Sequence, residues 1–380
     1  MLIRYTKNEN GKLVKQAEIY TKDEHNIPIN KVDPDAIRAC GRLRREGFQA
    51  YIVGGAVRDL LLGREPKDFD LVTDAEPSRV RKIFRNSRII GKRFKLVHLY
   101  YSDKKILELA TFRSVEASDR KNIYGTIEED VLRRDFTFNA LFYSPQEEQV
   151  IDYVGGVKDI RKGRIVSIIP LKTTFVDDPV RMVRALKYTV TTGSRISFKL
   201  KRAIKKSAPL LMSCSISRLS EEVFKILQSG HSWSIMQKAV EMDMFHYLLP
   251  EIEERFHGKG GREFYKTFFK SLRRLDENIN RKGERRRSRM IRRLVQPSLD
   301  ADGIFENPEL DYMDVVKAAK EVILPMIAPN RDIEEAVRLI FKVKNISMPR
   351  RNYVKHPDRR RAKRTRTRTK RDKNTTANTN

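Results

Sequence analysis

The sequence has few cysteines and no long apolar run, and each shortage excludes a class of protein. Its 380 residues include two cysteines, Cys40 and Cys214, whose separation fits neither a disulfide framework nor a cysteine-based zinc site. No segment approaches the roughly 18 consecutive apolar residues that a transmembrane helix requires. Residues 1–16 are polar and lack the apolar stretch of a secretory signal. We therefore expect a protein of the reducing cytoplasm without a membrane span.

Acidic residues are also scarce relative to basic ones, since 50 Asp and Glu stand against 79 Lys and Arg and leave a formal net charge of +29. Such an excess favours a polyanionic partner, with nucleic acid ahead of an anionic membrane. Residues 351–380 hold 12 basic and 2 acidic residues and almost no apolar ones. This composition cannot form a core, so we predict a disordered basic tail over residues 349–380.

The remaining chain predicts a small α/β head over residues 33–165, followed by helices. Strand and helix patterns alternate in the head, and helical patterns dominate from about residue 178 onward. The predicted elements are a helix that begins at Asp33 and Pro34, a hairpin over residues 94–101 and 105–112, a capping box over 126–129, and helices over 179–189, 217–228 and 235–242.

The sharpest local feature is a pair of aspartates, Asp68 and Asp70, in a predicted strand over residues 67–73. Because side chains alternate along a strand, the two carboxylates would share one face while Phe69 points to the core. Adjacent carboxylates repel each other unless a cation lies between them, and Mg²⁺ prefers such hard oxygen ligands. The pattern predicts a magnesium site, and the alternative is a polar strand face in solvent.

A glycine pair lies upstream, where a predicted strand ends at Gly54 and Gly55 and a helix that carries Arg58 begins. Glycines let backbone N–H groups approach a phosphate closely, and Arg58 adds a cation one turn into the helix. These residues predict a phosphate-binding turn, although a tight strand–helix turn that requires glycine fits them too. The Walker pattern of P-loop proteins is absent.

Five segments taken together resemble one family. They are residues 51–63 with 67–70, 108–113, 133–141, 177–185 and 218–222. These segments resemble the class II tRNA nucleotidyltransferases and bacterial poly(A) polymerases, and they follow the order of that family. The resemblance implies a nucleotidyltransferase head of the polymerase-β type, a helical neck over residues 166–230 that binds nucleotide and RNA, and a helical body over residues 231–348.

The resemblance also implies roles for individual residues. Asp68 and Asp70 would bind the catalytic Mg²⁺ ions, and Asp135 would be a third catalytic carboxylate. The implied nucleotide-binding residues are Gly54, Gly55, Arg58, Arg134, Asp178, Arg181 and Arg184. Of these, Asp178 and Arg181 would read the base edge, because a carboxylate accepts from the exocyclic amine of adenine or cytosine and an arginine donates to the ring nitrogen.

Several of these assignments keep an alternative. Arg134 and Asp135 also fit an ion pair on a helix surface, which stabilises little. Glu108 is a rival third carboxylate, because it lies in an apolar strand run where a buried, unpaired glutamate would be costly and would need a metal or an arginine. Asp178 precedes Pro179 and fits a helix N-cap as well as a contact to a base.

The stretch from Arg88 to Leu99 separates two activities within the family. It resembles the Gly-(Arg/Lys)-Arg-Phe-x-Leu-x-His block of bacterial poly(A) polymerases. The resemblance implies a template-independent enzyme that adds AMP from ATP to RNA 3′ ends and releases pyrophosphate. CCA addition to tRNA is the alternative within the family, and a basic RNA-binding protein without catalysis is the alternative from another class.

Overall fold

The computed structural model describes most of the chain: residues 1–7, 10–91, 95–114, 124–307 and 310–347. The predicted tail over residues 349–380 lies outside the described residues, as do Lys92 and Arg93 of the poly(A)-type block. Within the described ranges, no helix is both long enough and apolar enough to cross a membrane.

The first part of the chain is built on a mixed β-sheet. Its strands are β1 (Leu2–Lys7), β2 (Leu13–Tyr20), β3 (Ala50–Val53), β4 (Asp70–Thr73), β5 (Ser87–Ile90), β6 (Leu96–Tyr100), β7 (Ile106–Thr111), β8 (Leu141–Ser144) and β9 (Gln149–Asp152). In the described residues these strands form one sheet in the order β1-β2-β9-β8-β3-β4-β7-β6-β5. Two further strands, β10 (Arg164–Ile165) and β11 (Arg195–Ile196), form a separate parallel pair.

Helices flank the sheet and make up most of the chain after it. They are α1 (Lys22–His25), α2 (Pro34–Arg45), α3 (Gly55–Leu61), α4 (Pro77–Ile83), α5 (Ile127–Leu132), α6 (Gly156–Arg161), α7 (Thr174–Asp177), α8 (Val180–Thr191), α9 (Phe198–Ser207), α10 (Ile216–Leu227), α11 (Ser232–Glu241), α12 (Phe245–Leu248), α13 (Pro250–His257), α14 (Gly261–Lys282), α15 (Arg287–Ala301), α16 (Tyr312–Val322) and α17 (Asn330–Lys344). Short 3₁₀ turns lie at Ile29–Lys31, Ser102–Lys104, Thr137–Asn139, Ala208–Ser213 and Ile304–Glu306. This order confirms a mixed α/β head followed by helices.

The local signals of the head act as predicted. Asp33 caps α2 by accepting hydrogen bonds from the backbone N–H groups of Asp35 and Ala36. Thr126 and Glu129 form the predicted capping box at the start of α5, because each side chain accepts from the backbone N–H of the other. The predicted hairpin is β6 and β7, which pair antiparallel across the Ser102–Lys104 turn.

Strand β4 is shorter than the sequence predicts, because it begins at Asp70 rather than at residue 67. Its antiparallel partner β3 ends at Val53, which pairs with Asp70, and Gly54 then turns the chain into α3. Residues 67–69 therefore have no strand beside them on this side. The expectation that Asp68 lies in the strand is wrong, since the strand begins at Asp70. Phe69 nevertheless packs against the core, and Asp68 and Asp70 on either side of it are exposed.

The N-terminal hairpin of β1 and β2 joins the same sheet, because β2 pairs with β9. The sheet therefore includes residues upstream of position 33, where the sequence places the start of the head. The neck and body limits at residues 166, 230 and 348 stay predictions. One hydrophobic cluster begins at Phe136 and Phe138 in the head and continues through the helices as far as Phe341.

A close backbone approach fixes the Thr137–Asn139 turn against α6. The carboxylate of Asp152 accepts hydrogen bonds from the backbone N–H groups of residues 154–157, which anchors the start of α6. Gly156 lies there so close to Thr137 that an added Cβ would overlap the Thr137 carbonyl oxygen. Only glycine lets the two segments pack, and this packing positions Asn139, which belongs to the site described below.

We therefore expect Gly156→Ala to lower the free energy of unfolding by about 1–3 kcal/mol, the cost of overpacking a tight contact. Urea unfolding followed by circular dichroism measures the change. Gly258→Ala is the matched control, because an added Cβ at Gly258 meets nothing within 4 Å. Equal stability of the two variants would contradict the role given to Gly156.

Candidate functional site

Two acidic side chains meet where β4 and β7 lie side by side. These strands are parallel with Leu71 beside Leu109, so Asp70 lies next to Glu108 on the same face of the sheet. Both line a cavity of about 340 Å³. Asp68 lies two residues before Asp70, is exposed, and is close enough to repel the Asp70 carboxylate. The structure therefore brings Glu108 into the neighbourhood of the predicted aspartate pair.

The charge on Asp70 is costly in the protein as it stands. The pKa of Asp70 is raised to about 6. Desolvation by the surrounding protein is the largest cause, and repulsion from Glu108 and Asp68 adds to it. The side chain nevertheless opens onto the cleft. Carboxylates are hard oxygen donors of the kind that bind divalent cations, although the described residues contain no cluster of three or more side chains placed to hold a metal ion.

Glu108 is not the buried, unpaired glutamate that the sequence suggests. Its side chain is 52% exposed, and its Oε1 lies 3.6 Å from Nε2 of His98 on β6. The apolar residues that surround it in the sequence point to the other face of the sheet, where Leu107 and Leu109 are buried. The argument from burial is therefore wrong, while the position of Glu108 beside Asp70 makes it a candidate for the third carboxylate.

Asp135, the third carboxylate that the resemblance implies, is buried away from this cavity. Its Oδ1 accepts from the backbone N–H of Phe136 at 2.7 Å and from Nδ2 of Asn139 at 3.1 Å. Its Oδ2 lies 3.7 Å from Nη1 of Arg184. Asn139 in turn accepts from Nη1 of Arg58 at 2.8 Å. In this conformation Asp135 orients Asn139, and through it Arg58, rather than facing Asp70.

Arg58 is held from several directions beside the Gly54 turn. It forms an ion pair with Asp59 at 2.8 Å, and its guanidinium lies 5.0 Å from the ring centre of Tyr188 on α8. Gly54 has a φ of +69°, a conformation that side-chain-bearing residues rarely adopt, so the predicted need for glycine is confirmed at this position. A fixed guanidinium beside an open backbone turn can bind an anionic group.

Arginines form another wall of the cavity. Arg134 donates to Oδ2 of Asp130 from Nε at 3.1 Å and from Nη2 at 2.8 Å, and donates from Nη1 to the carbonyl of Asn139 at 3.1 Å. Arg133 donates to the carbonyl of Ser114 at 2.9 Å. The lining residues of the cavity are Val53, Asp70, Leu71, Val72, Leu96, Glu108, Ala110, Arg113, Asp130, Arg133 and Arg134. The cavity thus combines acidic residues on its floor with cationic side chains on its wall.

Asp130 was missed by the sequence reasoning. It lies four residues before Arg134, the spacing at which side chains on a helix meet, and this was the signal that could have revealed it. Its Oδ1 also accepts from the backbone N–H of Arg113 at 3.4 Å. Asp130 therefore orients one arginine of the cavity and ties α5 to the end of β7.

The residues predicted to read the base lie at the start of α8. The guanidinium of Arg181 donates to the carbonyls of Thr174 and Arg133, each at 3.2 Å. Oδ2 of Asp178 pairs with Arg218 at 2.8 Å. Its Oδ1 is buried and accepts no hydrogen bond from the described residues. Such an orphaned acceptor is costly unless a ligand or water supplies a donor.

The alternative role of Asp178 as a helix cap is wrong. The N-cap of α8 is Pro179, and no side chain accepts from the first turn of that helix. Asp178 instead ends α7 in an extended conformation, which directs its carboxylate toward α10 and Arg218.

A buried ion cluster joins α8 to α10 behind these residues. Glu222 lies at its centre and accepts from Arg184, Lys187 and Lys225, each at 3.1 Å. Burial opposes the ionisation of Glu222, but Lys187, Arg184 and Lys225 outweigh it and lower its pKa to about 2. Lys225 also acts on Asp70 from α10. The cluster holds Arg184 over Asp135 and brings positive charge toward the carboxylates.

Comparison with known proteins now identifies the family. The family described as "Poly A polymerase head domain" matches residues 50–166, and that described as "Probable RNA and SrmB- binding site of polymerase A" matches residues 194–256. The chain is 38% identical to poly(A) polymerase I of Escherichia coli O6:H1 over 281 residues, which cover 70% of this chain and 60% of that protein. The chain belongs to the poly(A) polymerase and tRNA nucleotidyltransferase family.

Other members show the same relationship. Poly(A) polymerase I of Haemophilus influenzae is 34% identical over 292 residues, 73% of this chain and 62% of that protein. The CC-adding tRNA nucleotidyltransferase of Halalkalibacterium halodurans is 34% identical over 199 residues, 52% of this chain and 50% of that protein. The chain spans about 60% of the length of the poly(A) polymerases that it matches.

Solved structures of the family share the fold. The Bacillus stearothermophilus CCA-adding enzyme in complex with CTP matches with a TM-score of 0.56 at 24% identity, over 83% of this chain and 85% of that chain. A tRNA nucleotidyltransferase complexed with a primer tRNA and an incoming ATP analogue matches with a TM-score of 0.59 at 25% identity. The match covers 80% of this chain and 84% of that chain. Members of the family use divalent metal ions.

The contribution of the buried Glu222 cluster to the stability of the protein can be tested by substitution. Glu222→Gln leaves Arg184 and Lys187 without their buried counter-charge, so we expect the free energy of unfolding at pH 7 to fall by roughly 3 kcal/mol. Because the native pKa is lowered from 4.5 to about 2, the stabilisation is complete above pH 4.5 and is lost as the pH falls toward 2. Urea unfolding at pH 7 and pH 3 measures both effects.

Glu221→Gln is the control for this experiment, since Glu221 is 54% exposed and pairs with Arg287 at the surface. Its loss should change the stability by less than about 1 kcal/mol. A similar cost for both variants, or a cost of Glu222→Gln that is the same at pH 3, would contradict the buried cluster.

Proposed function

We propose that the protein is a template-independent poly(A) polymerase, which transfers AMP from ATP to the 3′ end of RNA and releases pyrophosphate. The observation that carries this proposal is the cavity beside β4, where Asp70 and Glu108 lie together with Arg113, Arg133 and Arg134. All of these residues belong to the region that matches the poly(A) polymerase head domain. Phosphoryl transfer needs little covalent chemistry from the protein, and it depends on placing cations around the reacting phosphate. The cytoplasm is the proposed compartment.

The triphosphate of ATP would lie on the β3 side of the carboxylates. Gly54 and Gly55 leave room for the phosphates at the turn, and Arg58 is fixed by Asn139 and by the ring of Tyr188. Arg134 lies within 3.6 Å of the position that a Cβ on Gly54 would occupy, so it borders the same turn. These cations would neutralise the charge that develops on the departing pyrophosphate.

Asp68 and Asp70 would hold the Mg²⁺ ions, with Glu108 beside them as a further oxygen donor. When bound, the ions would lower the pKa of the RNA 3′-hydroxyl and neutralise the α-phosphate. The Asp70 oxygens lie at the start of β4, whose next residues, Leu71 and Val72, are buried and keep the strand rigid. Asp135 would act by positioning Asn139 and Arg184, and it stays a candidate third carboxylate.

Asp178 and Arg181 would select the base, with Arg184 supporting them. The buried Oδ1 of Asp178 lacks a donor within the described residues, and an exocyclic amine of adenine or cytosine would supply one. Arg181 starts from a fixed position, since the carbonyls of Thr174 and Arg133 hold its guanidinium. Protein side chains alone would then select the nucleotide, which suits synthesis without a template.

CCA addition to tRNA is the second candidate. The observation in its favour is that solved structures of CCA-adding enzymes share the fold of this chain. Poly(A) addition is preferred because the matched regions of the poly(A) polymerases are longer, 281 and 292 residues against 199 and 232. The poly(A)-type block also ends at His98, which contacts Glu108 in the cavity region.

The product of the reaction distinguishes the candidates. Purified protein is incubated with Mg²⁺, labelled ATP or CTP, and either an A-rich oligonucleotide or a tRNA that lacks its CCA end. Long A tails on the oligonucleotide would support the proposal, and a stop after CCA on the tRNA would support the second candidate. Tight RNA binding without incorporation of either nucleotide would overturn both and favour a non-catalytic RNA-binding protein.

The metal assignment predicts the effect of Asp70→Asn. We expect incorporation to fall at least about 1,000-fold, because several kcal/mol of transition-state stabilisation are lost, while RNA affinity stays within about twofold. Mg²⁺ should raise the melting temperature of the wild type but not of the variant. This shift should weaken below pH 6, because a proton competes for Asp70, whose pKa is raised to about 6.

Asp74→Asn provides the matched control, since Asp74 follows the other end of β4 and accepts from the backbone N–H of Gln49 at 2.8 Å. It should retain both the activity and the Mg²⁺-dependent shift. An Asp70→Asn variant that keeps most of its rate would remove Asp70 from the metal site.

A further inference from the structure

The open face of the sheet continues beyond the carboxylates, across β7, β6 and β5. Residues alternate along β6, where Val97 and Leu99 are buried while Leu96, His98 and Tyr100 face outward. The pairing of β6 with β7 and β5 then fixes which side chains share this outward face. They are Arg88 and Ile90 on β5, Leu96, His98 and Tyr100 on β6, and Ile106, Glu108 and Ala110 on β7. We call these residues the outer face.

The strand register aligns the outer face with the catalytic carboxylates. Arg88 pairs with His98, and His98 pairs with Glu108, which lies beside Asp70, so one row of polar side chains crosses four strands. The next row is Tyr100 and Ile106, which are 37% and 45% exposed. The rings of Tyr100 and His98 meet edge to face, with centres 6.2 Å apart. An accessible aromatic surface thus adjoins the reacting centre.

The strand order separates this surface from the proposed nucleotide site. Arg58 and Asn139 lie next to β3 and β8, on one side of β4, and the outer face lies on the other side of β4. In-line transfer requires the attacking hydroxyl to approach opposite the departing pyrophosphate. An RNA strand whose 3′-hydroxyl lies at Asp70 would therefore extend over β7, β6 and β5 rather than over β3.

We propose that the outer face binds the last nucleotides of the single-stranded RNA primer, with a base stacked on Tyr100 and the backbone phosphates near Arg88 and Lys95. This inference rests on the proposed function, because it assumes that an RNA 3′ end reacts at Asp70. Bases stack on exposed aromatic rings without regard to sequence, as a polymerase that extends varied RNA ends requires. Lys95 and Arg88 are both exposed and supply positive charge at the same edge of the sheet.

Charge distinguishes RNA from a second copy of the chain on this face. Strand β5 is the edge strand of the sheet, and its exposed Arg88 places positive charge at that edge. Glu108, the acidic residue of the outer face, already has His98 as a partner. A polyanion with flat apolar rings matches the remaining basic and aromatic groups.

The test compares Tyr100→Ala with Tyr100→Phe in steady-state AMP addition to a short oligoadenylate primer. We expect Tyr100→Ala to raise the KM for the primer roughly 5- to 100-fold, the range for loss of one base–aromatic stack, with the KM for ATP unchanged. Tyr100→Phe keeps the ring and should stay within twofold of the wild type. Arg88→Gln should reduce the slope of log Kd against log salt by about 0.7, the value for one phosphate contact on a single strand.

Tyr5→Ala is the matched control, because Tyr5 is 55% exposed on β1, the opposite edge strand of the sheet. It should leave all constants unchanged. If the wild type adds AMP and Tyr100→Ala has the primer KM of the wild type, the outer face does not bind the primer and this inference fails alone.

If the wild type adds no nucleotide, the proposed function fails instead. The affinity of the same variants for fluorescent oligoadenylate then decides separately whether the outer face binds RNA. A loss of affinity in Tyr100→Ala that Tyr100→Phe restores would support binding there, and equal affinities would overturn it.

Discussion

Repulsion between the carboxylates of Asp70, Glu108 and Asp68 is the constraint on which the arrangement of the site depends. The sheet forces Asp70 and Glu108 together, because β4 and β7 are parallel neighbours whose buried faces, with Leu71 and Leu109, fix the register. Desolvation by the surrounding protein, followed by repulsion from Glu108 and Asp68, raises the pKa of Asp70 to about 6. The core packing of the strands therefore holds these carboxylates together, and a divalent cation bound there would relieve their repulsion.

Positive charge is arranged around this acidic centre by helices from both halves of the molecule. Arg134 is held by Asp130 on α5, while Lys225 on α10 belongs to the Glu222 cluster and acts on Asp70. The packing of Tyr188 against Phe136 and Phe138 joins α8 to the head. A hydrophobic contact therefore holds α8, which carries Arg181 and Arg184, against the head.

Sequence reasoning succeeded where a contact is local. The Asp33 cap, the box of Thr126 and Glu129, and the hairpin of β6 and β7 each depend on residues within a few positions of one another. Sequence reasoning failed where contacts between segments far apart in the chain determine the bounds of a strand or the exposure of a side chain. The end of β3 at Val53 shortened β4, and the placement of Glu108 on the open face, opposite His98, could not be read from its apolar neighbours.

The sequence by itself determined the family, the mixed α/β head with helices after it, and the residue types that can bind a metal and a triphosphate. The family follows from the resemblance of five ordered segments, whereas the strands and helices follow from short patterns whose spacing is fixed by their geometry. Only the tertiary structure decided that Glu108 lies beside Asp70, that Asp135 faces Asn139 and Arg184, and that the outer face adjoins the carboxylates. The physical reason is that strand register and helix packing are set by long-range burial of apolar surface, which brings together residues that no local pattern connects.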